Sequence, residues 1–175
     1  PNSVYLDTSP RMDKAVMELG VPVLGICYGV QFMAFALGGK IGKAHDNSLS
    51  EFGRTSCTID DKSDLFADID DVTEVWMSHN DYIETLPEGF KAIAHTEKCP
   101  YAGIANVEKK LYGVQFHPEV NHTVQGFDML GNFLYKVCGC KGDWTMKNYA
   151  QTAIAQIREK VGGGKVLLAL SGGVD

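Results

Sequence analysis

The stretch Val23-Leu24-Gly25-Ile26-Cys27-Tyr28-Gly29 sits between two apolar runs of different character. Residues 21–26 read as a buried strand, and residues 30–37 read as a helix that Gly38-Gly39 closes. Between them Gly25-x-Cys27-x-Gly29 is the thiol counterpart of the G-x-S-x-G nucleophile elbow. A sharp strand-to-helix turn needs small neighbours, so a side chain at either glycine is expected to collide with the crossing backbone. The turn lifts Cys27 out at the end of a sheet and places it at a helix N-terminus. There the positive end of the helix dipole is expected to favour thiolate over thiol. A second reading stays open on the motif alone: Cys27 as one more buried strand cysteine, because G-x-C-x-G also arises by chance.

Composition narrows the setting. A chain of 175 residues, 45% apolar and 22% charged, is long enough for one domain with a real core. A net charge of −6 gives no basic footprint, so no nucleic-acid partner is expected. No apolar run approaches the roughly 20 residues that cross a bilayer, so no membrane partner is expected either. The five cysteines (27, 57, 99, 138 and 140) are odd in number and scattered, which points to a reducing, cytoplasmic compartment. Cys138-Gly139-Cys140 lacks a second pair to complete a zinc site and reads as structural, so no metal site is expected.

Outward from the elbow, residues 10–19 read as a helix capped by Asp7 or Ser9 and stopped by Gly20. Residues 40–44 and 53–59 read as strands, and the six aspartates of residues 60–71 as a solvated loop with one turn at Leu65-Phe66. Residues 73–77 form a short strand that delivers Ser78-His79-Asn80-Asp81 to a loop. Pro87 and Gly89 mark a turn, after which residues 91–96, 102–107 and 111–116 alternate as strands, with a hairpin at 108–110. Phe127, Leu130, Phe133, Leu134 and Val137 supply a helical apolar face. Strand–helix units at both ends with β-hairpins between them argue for an α/β sheet core carrying an antiparallel insertion. Lys141-Gly142-Asp143 breaks the pattern and marks a boundary. Beyond it Thr145 caps a helix, Trp144 is placed to staple Tyr149, and residues 165–170 read as a buried strand.

A thiol nucleophile working on an amide needs a base that takes its proton and returns it to the leaving amine. His117, in Gln115-Phe116-His117-Pro118-Glu119, stands at a strand end with a carboxylate two residues on. Pro118 fixes φ and removes a donor, so the backbone leaves the strand abruptly. Parallel strands that end together would bring His117 to Cys27. A satisfied core or edge histidine is the alternative reading.

Gly25-Ile26-Cys27-Tyr28-Gly29-Val30-Gln31 and Tyr112-Gly113-Val114-Gln115-Phe116-His117-Pro118-Glu119 resemble, in order and separation, the two signatures of class I glutamine amidotransferase domains. Within that class, Trp76-Met77-Ser78-His79-Asn80-Asp81 and the opening Pro1-Asn2-Ser3-Val4-Tyr5 resemble the GMP synthase family. The closing Ser171-Gly172-Gly173-Val174-Asp175 resembles that family's pyrophosphate-binding loop. The resemblance implies the class I mixed sheet with flanking helices and an antiparallel insertion, truncated at both ends. Residues 1–141 would form the amidotransferase domain, and residues 142–175 a linker helix with the first strand of the ATP-pyrophosphatase domain. It also implies Cys27 as nucleophile, His117 as base, Glu119 as orienting acceptor and the Tyr28 N–H as oxyanion donor. Gln31, His79, Asp81 and Asn121 would line a glutamine pocket, with Asp81 suited to the α-ammonium. No cofactor is implied for this domain. ATP, Mg²⁺ and XMP belong to the complete enzyme, as does a homodimer through its C-terminal region. On this reading the 175 residues alone would be poorly folded, with weak glutaminase activity at most. Other class I amidotransferases share the Cys and His-x-Glu motifs, and a non-catalytic regulatory subunit or a cysteine peptidase could use the same elbow. The Ser78–Asp81 segment argues for free glutamine.

Overall fold

A computed structural model describes residues 3–43 and 49–169. The 171–175 loop therefore lies outside the described residues. The chain divides into two compact units, Pro1–Gly139 and Cys140–Asp175.

In the first unit β1 (Val23–Ile26) leads through the elbow into α1 (Tyr28–Ala36), and β2 (Lys40–Lys43) follows the Gly38 turn, where φ is +94°. Next come β3 (Glu51–Ile59), a 3-10 turn at Asp64–Phe66, β4 (Val72–His79), β5 (Asp81–Thr85), β6 (Lys91–His95), β7 (Gly103–Asn106) and β8 (Leu111–Val114). Six strands make one sheet in the order β1-β8-β7-β6-β3-β4, and β2 with β5 makes a separate two-stranded ribbon. The pair β1–β8 is parallel and the other pairings are antiparallel, so the sheet is mixed, as the sequence pattern predicts.

Strand alternation sorts the core onto the two faces of this sheet. Ile104 of β7 and Leu111 of β8 pack with Val30, Met33 and Ala34 of α1 and with Ile41 and Ile83 of the ribbon. Ala105, Tyr112 and Val114 point the other way, toward Leu65, Phe66, Met129 and Val137. Covered on both faces, β7 and β8 are buried throughout, as strands between two layers must be.

Several expected elements differ, each for a local reason. The first helix is only a 3-10 turn, Lys14–Glu18, because Asp13 caps Ala15 and the residues before it stay extended. The segment holding His79 and Asp81 is two strands meeting at Asn80, not a loop: the buried His79 ring faces Glu51 of β3, and the Asp81 carbonyl accepts from Gln31 of α1. The helix after residue 126 is α2 (Gly126–Asn132) and then passes into a π turn at Phe133–Val137. Phe127 and Leu134 are exposed while Met129 and Val137 are buried, so the buried face is not the one the apolar spacing predicts.

In the second unit α3 (Met146–Val161) starts where Thr145 accepts a hydrogen bond from Asn148 N–H at 3.1 Å, and Trp144 stacks near Tyr149 with centroids 6.1 Å apart. Residues 165–169 form no strand and are exposed; a β-rich sequence without a neighbouring strand has nothing to satisfy its backbone.

Only one of the two elbow glycines is required by space. A Cβ on Gly25 would meet the backbone N of Val30 at 2.8 Å and the Gly29 carbonyl group at 2.9 Å, whereas a Cβ on Gly29 has nothing within 4 Å. Gly25→Ala should therefore cost about 1–3 kcal/mol as helix and strand are forced apart. Gly29→Ala, inside α1, should gain about 0.5–1 kcal/mol. Urea midpoints of the two variants should move in opposite directions; a common direction contradicts this account of the turn.

Candidate active site

Cys27 occupies the N-cap of α1 with φ +50° and ψ −109°, a strained conformation for a residue with a side chain. Its N–H donates to the Val114 carbonyl at 2.8 Å, extending the parallel ladder in which Ile26 faces Val114. This one bond fixes the elbow against the chain that continues through Gln115 to His117.

His117 is anchored through its backbone: its N–H donates to the Trp76 carbonyl at 3.0 Å, and its carbonyl accepts from the Thr123 hydroxyl at 2.6 Å. The side chain is partly exposed, with Nδ1 2.7 Å from Glu119 Oε1. A carboxylate there can only accept, so Nδ1 carries the proton and Nε2 presents its lone pair. Glu119 also lies near enough to Cys27 for its negative charge to act on the thiol.

Burial and the helix N-terminus act on the Cys27 thiol in opposite senses. Burial pushes the Cys27 thiol above its ordinary value and outweighs the hydrogen bonds from the Tyr28 N–H and the Gln115 amide that favour the thiolate. Proton removal from Cys27 consequently needs a base. The Tyr28 N–H, the expected oxyanion donor, lies near enough to the Cys27 sulfur to favour its thiolate.

Gln31, His79 and Asp81 come together, with Ser3 and Lys43, around a cavity of about 260 Å³. That is smaller than the roughly 300–1,000 Å³ of pockets for drug-sized ligands and suits a smaller guest. Asp81 Oδ2 is buried and has no hydrogen-bond partner among the described residues, which leaves an acceptor for something the cavity receives. Asn121 is exposed and is not on this wall.

Sequence reasoning missed two buried groups here. Gln115, fully buried, accepts from the Gln31 amide at 3.0 Å and places its own amide N 3.8 Å from Cys27 Sγ. Glu51, directly opposite His79 in the β3–β4 register, lies 3.3 Å from His79 Nε2 and accepts from the Thr96 hydroxyl at 2.8 Å. His79 Nδ1 is 3.1 Å from the Asp81 carbonyl, which also accepts from Gln31 at 2.7 Å. Alternation along a strand could have flagged Gln115, since Leu111 and Gly113 before it face α1. Glu51 had no such signal, because its partner is 28 residues away.

Glu51, His79 and Cys99 also set one possible metal-ligand atom each within 4.8 Å of one another. The Thr96 hydroxyl engages both Glu51 oxygens, at 2.8 and 3.0 Å, and His79 Nε2 lies 3.3 Å from one of them, so the cluster is already hydrogen-bonded.

The glutamine amidotransferase class-I family profile matches residues 1–137, and the chain belongs to that family. Over all of its residues it is 57% identical to a protein of Clostridium novyi (strain NT) named GMP synthase [glutamine-hydrolyzing], and 54% identical to one of the same name from Clostridium botulinum (strain Alaska E43 / Type E3). The chain spans 34% of the length of each of these curated relatives. A solved Thermoplasma acidophilum protein, provisionally named as one subunit of GMP synthase, superposes with a TM-score of 0.66 and 31% identity, covering 83% of this chain and 65% of its own. A Thermotoga maritima glutamine amidotransferase shares the fold, with a TM-score of 0.55, 24% identity, and coverage of 85% and 60%. No helix among the described residues is long and apolar enough to cross a membrane.

The thiols differ in their partners. Burial pushes Cys57, like Cys99, up to about 12, with the neighbouring Cys99 adding to it, and the active-site donors beside Cys27 have no counterpart among the causes acting on Cys57. A glutamine-shaped electrophile at pH 8 should label Cys27 and leave Cys57 and Cys99 intact. Peptide mass mapping of the adduct to Cys57 or Cys99 would contradict the placement of the site.

Proposed function

We propose that this chain is the glutamine-hydrolysing part of a GMP synthase. The observation that carries the reading is the His117–Glu119 contact at 2.7 Å, with Glu119 near enough for its charge to act on the elbow cysteine, in a chain 57% identical throughout to a relative of that name. On this reading His117 Nε2 takes the Cys27 proton as the sulfur attacks the side-chain carbonyl of glutamine. The Tyr28 N–H, fixed in the first turn of α1, would donate to the oxyanion of the tetrahedral intermediate. Collapse expels the amide nitrogen, which takes the His117 proton and leaves as ammonia. His117 then removes a proton from water, whose oxygen displaces Cys27 from the γ-glutamyl thioester and gives glutamate.

The free amino acid is proposed to lie in the cavity beside Gln31, His79 and Asp81. Its α-ammonium would meet the unpartnered Asp81 Oδ2, and its α-carboxylate the Lys43 ammonium. Asn121 could join the pocket only by leaving its exposed position. The amination of XMP with ATP and Mg²⁺ is proposed for the whole enzyme, with residues 142–175 leading into the domain that performs it. A homodimer and a cytoplasmic setting complete the proposal, the latter in keeping with the odd number and scattered spacing of the five cysteines.

The test is release of glutamate and ammonia from glutamine. His117→Ala should lose nearly all turnover, and Glu119→Ala should retain more, because an acceptor that orients the base contributes less than the base itself. Undiminished turnover in His117→Ala would overturn the assignment. Asp81→Asn should raise KM for glutamine about tenfold or more with a smaller change in kcat, as expected for lost binding of an ammonium group. An unchanged KM would place the amino acid elsewhere.

A further inference from the structure

The Cys27 sulfur lies between an acceptor and a donor that the catalytic scheme above does not use. On one side is the Ser78 carbonyl, 3.7 Å from Sγ; on the other is the Gln115 amide nitrogen at 3.8 Å. Both distances fall within the longer range that sulfur hydrogen bonds occupy. The two contacts favour opposite protonation states. A thiol can donate its S–H to Ser78, while a thiolate has nothing to give that carbonyl and needs a donor instead.

An amide has two ends that look alike, so which end of Gln115 faces the sulfur has to follow from its partners. The chain of partners starts at a fixed point. The Asp81 carbonyl in β5 can only accept, and Gln31 reaches it at 2.7 Å, so the Gln31 nitrogen is the end that points there. The second hydrogen of that nitrogen goes to Gln115 Oε1 at 3.0 Å. With its oxygen so occupied, Gln115 must turn its NH₂ toward Cys27. Burial of Gln31 and Gln115, and the Gln115 N–H donating to the Ala102 carbonyl at 2.8 Å, leave the pair little freedom to rearrange.

We propose that Gln115 is a further catalytic residue of this site: its side-chain N–H, aimed by Gln31, binds the Cys27 sulfur in the thiolate form. The proposal rests on the glutaminase reading for its role in turnover, though the contact itself does not. As the Cys27 proton passes to His117 Nε2, the S–H···O=C contact to Ser78 is lost. The negative charge that appears on sulfur is met by the Gln115 N–H, and a long resting contact shortens as that charge develops. When the sulfur acylates, the charge leaves it and the bond relaxes. No atom is transferred to or from Gln115.

The donor has a cost that makes it recognisable. A hydrogen-bonded thiolate is less nucleophilic, but nucleophilicity falls by only about half a power of ten for each power of ten gained in thiolate, so below the ionisation midpoint the donor still gains rate. Removing it should therefore leave a two-sided signature. The full chain is treated with iodoacetamide across pH, and the Cys27 peptide is quantified by mass spectrometry. For Gln115→Met, similar in length and lacking the donor, the midpoint of alkylation should rise by about one pH unit. Alkylation well below the midpoint should be about threefold slower, and on the alkaline plateau about threefold faster, so the profiles cross. Gln115→Glu keeps the shape and an acceptor for Gln31 but turns an oxygen toward the sulfur; its midpoint should rise further. If Gln115→Met loses its circular-dichroism signal, Gln115→Glu is the variant read. A midpoint coincident with the parent in whichever folded variant is read overturns the proposal. Iodoacetamide needs no glutamine site, so a chain with no glutaminase activity but with crossing profiles would discard the functional reading and keep the Gln115 contact. Normal turnover with coincident profiles would do the reverse.

Discussion

The parallel pairing of β1 with β8, from Val23↔Leu111 to Ile26↔Val114, is the contact on which the site depends. A four-residue ladder is short, and its bonds are slanted and weaker than antiparallel ones. It is held because α1 lies across it: Val30 comes so close to Gly113 that a Cβ there would sit 2.1 Å from the Val30 side chain. The Cys27 N–H bond to Val114 completes the ladder, so the elbow and the strand end carrying Gln115 and His117 are set by the same hydrogen bonds. Two motifs far apart in the chain thus share one frame. Anything that lets α1 lift from β8 would separate nucleophile, amide and base together.

The electrostatics follow from that packing. The helix dipole near its N-terminus contributes typically about 0.3–1 kcal/mol, and α1 is only a nine-residue helix. Burial of the thiol under the elbow acts in the opposite sense and prevails. The packing that buries Cys27 thus favours its thiol over its thiolate, and in the proposed mechanism a base removes the proton. In the proposed mechanism that base is His117, whose Nδ1 contact with Glu119 sets the tautomer with Nε2 able to accept. The buried thiol also gives meaning to Ser78, whose carbonyl stabilises the resting form.

Local signals carried much of this into the sequence. The elbow, the helix behind it, the Asp64–Phe66 turn and the Thr145 cap each depend on residues within a few positions of one another. The triad candidates were legible because Pro118 and the glycines of the elbow punctuate the chain. What was not legible depends on partners remote in sequence. His79 reads as a loop residue until Glu51 is seen opposite it, and Gln115 reads as a strand filler until Gln31 is seen beneath it. The exposed Phe127 and Leu134 were misplaced because apolar spacing alone does not say which face of a helix meets the core, and the π turn at Phe133–Val137 leaves no mark in it. Residues 165–169 carry a strand-like composition, but a strand also needs a neighbour. Gly29 shows the limit of motif reading from the other side: the pattern includes it, while space at the turn demands only Gly25.

The central claim is that the sulfur of Cys27, and no other group, carries the glutamyl unit during turnover. Acid quenching of the chain within its first turnover with glutamine, followed by peptide mass spectrometry, reads this directly. The account predicts a γ-glutamyl adduct confined to the peptide containing Cys27, lost on treatment with hydroxylamine and absent in Cys27→Ser. Glutamate release that persists in Cys27→Ser, or an adduct mapped to another residue, would contradict it.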